Sequence, residues 1–169
     1  MKTTLKILAV LVAMVGFSAA SYAQSASATA AVTIVAPLVI TNTGNMSFGN
    51  VAVNATDAGT VVLSPAGART STGGVQLSPT NLGTITAATF GLIGEGSYGY
   101  AITLPANGVV TVNSGANSMA LNSFTSNPSG TGALSGGNGT IAVGATLVVA
   151  GGQATGSYTG TFNVTVAYN

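Results

Sequence analysis

A chain of 169 residues with three Lys/Arg, two Asp/Glu and no His or Cys has little with which to hold a metal, move a proton or attract a polyanion. Only 3% of its residues are charged, against about a quarter in ordinary globular chains. The 47% hydrophobic content also excludes the weakly hydrophobic composition of disordered chains.

The first stretch stands apart. Lys2 and Lys6 form a basic start, Ile7 to Phe17 is apolar, and the small-residue run that follows ends Ser21-Tyr22-Ala23. That order is the one a secretory signal peptide uses, and it places cleavage between Ala23 and Gln24. The apolar run is shorter than the ~20 residues of a membrane-spanning helix, so no integral span is expected in the mature chain. No cysteine is present to carry a lipid anchor. The chain is expected to leave the cytoplasm of a Gram-negative bacterium through the periplasm. Cleavage removes both lysines and leaves Arg69, Asp57 and Glu95 as the remaining charged residues. Nucleic acid needs a basic surface, and anionic lipid needs a basic patch; neither is offered. A nearly uncharged surface suits a protein packed against copies of itself.

Val, Ile and Thr between Gly, Asn, Ser and Pro clusters predict an all-β chain. Ser25 to Thr41 alternates, with Ala28, Ala30, Val32 and Ile34 in one row. Pro37 cannot donate a ladder hydrogen bond, so it marks an edge or a break. Residues 24–36 therefore read as an N-terminal extension or donor-type strand, and residues 37–169 as the domain. Asn42 to Asn45 reads as a turn, Met46 to Val53 as a strand with a bulge or turn at Gly49, and Thr60 to Ser64 as a short strand. Ala66 to Gly74 reads as a Gly-rich loop tied down by Arg69. Val75 and Leu77 lie on one short strand. The phase slip between Ile85 and Phe90 predicts a bulge near Ala88. Tyr98, Tyr100, Ile102 and Leu104 share one strand face. Val109 to Val112 and Met119 to Phe124 are further strands, and Asn127 to Gly139 reads as an exposed loop. Thr140 to Val149 is a strand that turns at Gly151-Gly152 into the last one. About ten strands at this spacing predict an antiparallel β-sandwich, Ig-like in kind, or a barrel.

The end of the chain reads GSYTGTFNVTVAYN from Gly156 to Asn169. Tyr158, Phe162, Val164, Val166 and Tyr168 alternate with hydroxyl and amide residues, which predicts one buried and one exposed face along a long strand.

Catalytic chemistry has little to work with. Asp57 and Glu95 are the only acids, each in a turn-like context, and no His or Lys base survives processing. No catalytic residue, metal site or cofactor is expected. Tyr98 and Tyr100 read as a packed strand face rather than a sugar-stacking platform.

The residues Pro37-Leu38, Phe48-Gly49, Gly67 to Arg69, Ala88 to Phe90, Gly94, Tyr100 to Pro105, Val143 to Leu147 and the terminal alternating block resemble a bacterial family known only as domain of unknown function 4402. The terminal block also resembles the C-terminal motif of chaperone–usher pilins, with Tyr168 as the penultimate Tyr and Gly156 as the upstream Gly. The cysteine pair common in such pilins is missing. The pilin resemblance implies reading of the last strand by a periplasmic chaperone and usher, and joining of subunits through a donated N-terminal strand. The expected function is a non-enzymatic subunit of a fimbria-like or other cell-surface polymer, made of this chain or with other surface subunits. The alternative is a monomeric secreted or periplasmic domain that binds a glycan or protein.

Overall fold

The computed structural model describes residues 23–77, 80 and 83–169. The expected signal peptide lies, but for Ala23, outside the described residues. The chain divides between Ile34 and Val35. Residues 23–34 are exposed throughout and belong to no sheet, with Val32 and Ile34 at 87% and 91% exposure.

The domain from Val35 onward is an all-β sandwich, and its paired strands are all antiparallel. In chain order its described strands are β1 (Val39–Gly44), β2 (Ser47–Phe48), β3 (Ala52–Val53), β4 (Gly59–Leu63), β5 (Arg69–Gly73), β6 (Val75–Gln76) and β7 (Ile85–Thr86). There follow β8 (Ala88–Ile93), β9 (Gly99–Thr103), β10 (Val110–Ser114), β11 (Asn117–Asn127), β12 (Thr131–Ala133), β13 (Asn138–Val149) and β14 (Thr165–Tyr168).

The large sheet has seven strands built around β13. β11 runs along one side of β13, while β8 pairs with its first half and β4 with its second half on the other side. Gly144 sits where the partner changes, and a Cβ there would collide with the Leu63 carbonyl. β1 flanks β8, β5 flanks β4, and β10 flanks β11. The second sheet has only three strands, in the order β12-β9-β14. Two pairs of two-residue strands, β2 with β7 and β3 with β6, complete the pairing.

Alternation decides which face is buried. Ile141, Val143, Ala145, Leu147 and Val149 of β13 point inward, as do Ala88, Phe90 and Leu92 of β8. Threonines fill the opposite face, where Thr43 donates to Thr89 (3.1 Å) and Thr60 meets Thr72 (2.7 Å). The core has two buried clusters. One centres on Phe90, Leu92, Tyr100, Leu134 and Ile141, the other on Val61, Val110, Leu121 and Leu147. Phe124 and Phe162 pack against both.

Several local expectations change. The structure has fourteen described strands instead of about ten, because two expected strands split, at Gly49 and at Ala87, and two more, β5 and β12, form in stretches expected as loops. The turn expected at Asn42 to Asn45 is the end of β1, which runs through Gly44 with a register shift. The slip near Ala88 is a break at Ala87 between β7 and β8. The loop expected from Ala66 to Gly74 is a tight turn followed by β5, which pairs with β4 from Gly59↔Gly73 to Leu63↔Arg69. The exposed loop expected from Asn127 to Gly139 instead contains β12 and a core residue, Leu134, at 3% exposure. Glycine makes that burial possible: Gly132 lies against the Tyr100 ring, where a side chain would not fit. Tyr98 lies just before β9 and is 46% exposed, whereas Tyr100 within the strand is 1% exposed.

Candidate functional site

The terminal stretch follows the predicted alternation of faces. Tyr158, Phe162, Val164, Val166 and Tyr168 are half-buried, while Thr161, Asn163, Thr165 and Ala167 are exposed. Its pairing is much shorter than the pattern implies. Only Thr165 to Tyr168 pair, with Thr103 to Tyr100 of β9. Upstream, Thr159 exchanges backbone hydrogen bonds with Asn113 of β10, at 2.8 and 3.0 Å. Between these two attachments, Gly160 to Val164 make no backbone–backbone hydrogen bond among the described residues. β14 is itself an edge of its sheet, so its side away from β9 has no strand partner among the described residues either.

Beside this run lies a groove with a cavity volume of about 1270 Å³. Its floor is the inner face of the large sheet, including Phe90, Leu121, Leu147 and Val149. One wall is the terminal segment from Gln153 to Val164; the other runs from Ile40 through the short β2 and β3 region to Val53. No lining residue is charged. Phe162 projects toward the floor, edge-on to Phe90 (centroids 6.4 Å, 75°) and tilted against Phe124 (5.0 Å, 47°).

Arg69 holds the far wall. Its guanidinium donates to the carbonyls of Phe48 and Asn50. The sequence predicts that Arg69 ties down its own loop; instead it reaches from β5 to a segment about twenty residues earlier. A lone arginine with no carboxylate nearby in sequence gives no hint of that target.

Tyr168 closes the other end of the terminal strand against the start of the domain. Its hydroxyl donates to the Ala36 carbonyl (3.0 Å) and accepts from the Glu95 N–H (2.7 Å). The Ala36 N–H donates to the Glu95 carboxylate (3.0 Å). Tyr98 packs edge-on against the Tyr168 ring, with centroids 5.7 Å apart. Gly94 makes room for this arrangement, since a Cβ there would strike the Tyr168 hydroxyl. Glu95 thus acts as an acceptor for the backbone of Ala36. Asp57 accepts from the Asn54 side chain at 3.1 Å. No cluster of three His, Cys, Asp or Glu occurs among the described residues.

The predicted site residues therefore fall into two groups. Phe162 and Val164 line the groove, Gly156 and Tyr158 lie at its upstream end, and Val166 and Tyr168 continue the same row along β14. Ala28, Ala30, Val32 and Ile34 form an exposed, unpaired row before the domain, and Ala23 and Gln24 at the expected cleavage point are exposed as well. The pattern did not point to Ala36, Glu95 or Arg69.

The family model for Domain of unknown function (DUF4402) matches residues 38–168. The chain belongs to this family. The matched stretch takes in both walls of the groove and the terminal strand, and it begins after Pro37, leaving the row from Ala28 to Ile34 outside. No curated protein and no solved structure matches the chain.

Proposed function

We propose that this DUF4402 chain is an exported, non-enzymatic structural subunit of a fimbria-like or other cell-surface polymer, assembled by β-strand addition. One observation carries the reading: an apolar groove runs beside a terminal segment whose backbone groups from Gly160 to Val164 make no backbone–backbone hydrogen bond among the described residues. Unpaired backbone beside apolar side chains is what an added strand satisfies, hydrogen bonds supplying affinity and alternate side chains register. Size favours a strand over a small ligand. The groove, at about 1270 Å³, exceeds the ~300–1,000 Å³ of ordinary small-molecule sites. The same chain carries an uncharged alternating row, Ala28, Ala30, Val32 and Ile34, of the kind such a groove takes. The pilin-like terminal block fits delivery to the surface by a periplasmic chaperone and an usher.

Electron microscopy of exported material, with mass measurement in solution, tests this. Fibres or a ladder of multimers are expected. A protein that is monomeric at every concentration, in the cell and outside it, refutes the reading and leaves a monomeric binding domain.

A further inference from the structure

Residues 23–34 are exposed and belong to no sheet, yet Ala36, two places further on, is held by both of its backbone groups. We infer that Ala36, Glu95 and Tyr168 form a load-bearing anchor: tension drawn through the extension is taken up at this end of the sandwich before it reaches β1. This rests on the surface-polymer reading above, because a polymer on a cell surface is what supplies the tension.

The first regular element after the extension is β1, and it is poorly placed to carry load. It is an edge strand of six residues, four of them exposed, and it pairs only with β8 among the described residues. Its ladder begins at Val39↔Ile93, and its register shifts between Asn42 and Gly44. Tension on the first residue of such a ladder opens its pairs in turn, so each resists alone. Pro37 has no N–H with which to prolong the ladder upstream.

The anchor lies upstream of that ladder. The Ala36 carbonyl accepts from the Tyr168 hydroxyl (3.0 Å), and the Ala36 N–H donates to the Glu95 carboxylate (3.0 Å). The Glu95 N–H donates to the same hydroxyl (2.7 Å), so the three residues close a ring of hydrogen bonds. The two bonds to Ala36 are exposed, and each is modest alone. Pulled from Ala36, they stretch together and share the load.

Each partner has a support behind it. Tyr168 pairs with Tyr100 in the β14–β9 ladder, and its ring packs against the first core cluster and edge-on to Tyr98. Glu95 sits in the turn between β8 and β9. Backbone bonds tie that turn to the segment before β13. The Gly94 N–H donates to the Gly137 carbonyl (2.8 Å), the Gly137 N–H to the Gly96 carbonyl (2.6 Å) and the Leu134 N–H to the Tyr98 carbonyl (3.0 Å). Two glycines permit this closeness: a Cβ on Gly94 would strike the Tyr168 hydroxyl, and one on Gly137 the Gly94 carbonyl. Gly137 leads directly into β13. Load at Ala36 therefore passes to β13 and β9, the middle strands of the two sheets, and not to the edge strand β1.

An anchor of this kind acts in one direction, and that is what the test reads. Optical tweezers hold single, unassembled chains at constant force, and the absence of natural cysteine lets handles be placed freely. Handles at Ser25→Cys and Ala116→Cys, both exposed positions, load the extension. Handles at Ala66→Cys and Ala116→Cys, in two exposed turns, load the domain without it. Tyr168→Phe removes the hydroxyl and keeps the ring. Through the extension, its lifetime before first opening is expected to fall about fivefold to thirtyfold, as the loss of one or two hydrogen bonds implies. Glu95→Gln keeps the shape without the charge and is expected to shorten the lifetime less. Between the two turns, both variants are expected to last as long as the unaltered chain. Equal shortening in the two geometries would make these residues a general brace and overturn the inference, and so would unchanged lifetimes through the extension. Should Tyr168→Phe fail to fold, Glu95→Gln decides on the same two comparisons. Multimers that form while the anchor bears no load leave the polymer reading standing and this inference lost. A chain that never multimerises loses the polymer reading, and the lifetimes, read on single chains, still decide the anchor.

Discussion

Phe162→Ala tests the terminal strand most directly. Phe162 is half-buried and, like Phe124, packs against both core clusters. Its ring lies edge-on to Phe90 at 6.4 Å and tilted against Phe124 at 5.0 Å. Emptying a core aromatic site costs about 3–5 kcal/mol. Because Phe162 borders an open groove, the lower end applies, about 3 kcal/mol. Its two ring contacts account for about 0.5–1.5 kcal/mol each within that figure. Thr161→Ala, on the exposed face next to it, is expected to cost under about 0.5 kcal/mol. Urea unfolding of the unassembled chain, followed by circular dichroism, measures both. A loss of about 3 kcal/mol corresponds to a fall in Tm of about 10 °C for a domain of this size. Equal losses at the two positions would show that the terminal segment has no inward face, and the groove wall built from it would fall with that.

Three further outcomes follow from other parts of the molecule. Arg69→Ala leaves the Phe48 and Asn50 carbonyls without their guanidinium donor, and amide hydrogen exchange from Phe48 to Val53 is expected to quicken at least tenfold while exchange in β13 is unchanged. Burial pushes the Tyr100 phenol above its ordinary value of 10.0. The folded chain then holds that proton to higher pH than the unfolded chain, so the associated stability is present below about pH 10 and is lost as pH rises through the folded value; Tyr100→Phe is expected to flatten that decline in pH-dependent melting curves. The signal layout gives a mature chain beginning at Gln24, and N-terminal sequencing that finds Met1 retained on exported protein would contradict it.

The sequence pattern exposes sides more readily than partners. In β13 the residues from Ile141 to Val149 declare their buried face by alternation, and the structure buries them. The same rule identifies Phe162, Val164, Val166 and Tyr168 as one row. Alternation does not say whether a strand is paired, however, because side-chain direction and backbone pairing are separate properties of an extended chain. That is why a stretch read as one long strand proves to be four paired residues preceded by an unpaired run. Asn127 to Gly139 fails for the opposite reason. Its glycines suggest a loose loop, yet Gly132 is what lets the backbone lie against Tyr100 and bury Leu134. The anchor is hidden for a third reason: Ala36, Glu95 and Tyr168 are brought together across 59 and 132 residues of chain, and nothing in their local sequence links them.

The charge pattern bears on the same groove. Proteins with exposed sheet edges commonly guard them with lysine, proline or an inward-pointing charge. β14 ends a sheet with its outer side unpaired, and no residue from Gly156 to Asn169 is charged. After Lys6 the only basic side chain is Arg69, and it is turned onto the wall of the groove through Phe48 and Asn50. An unguarded edge next to an apolar floor is a hazard in a protein that works alone, since any extended apolar segment can pair with it. In a subunit the same edge is a binding site, and selectivity must then come from shape and register. Here the lining is wholly uncharged and largely apolar, and register is set by the fixed parity of the apolar row. A lysine introduced at Val164 would restore the missing guard. It would place a charge where an incoming strand must be buried, so mass measurement in solution is expected to show assembly abolished, and multimers as abundant as those of the unaltered chain would refute the role given to this edge.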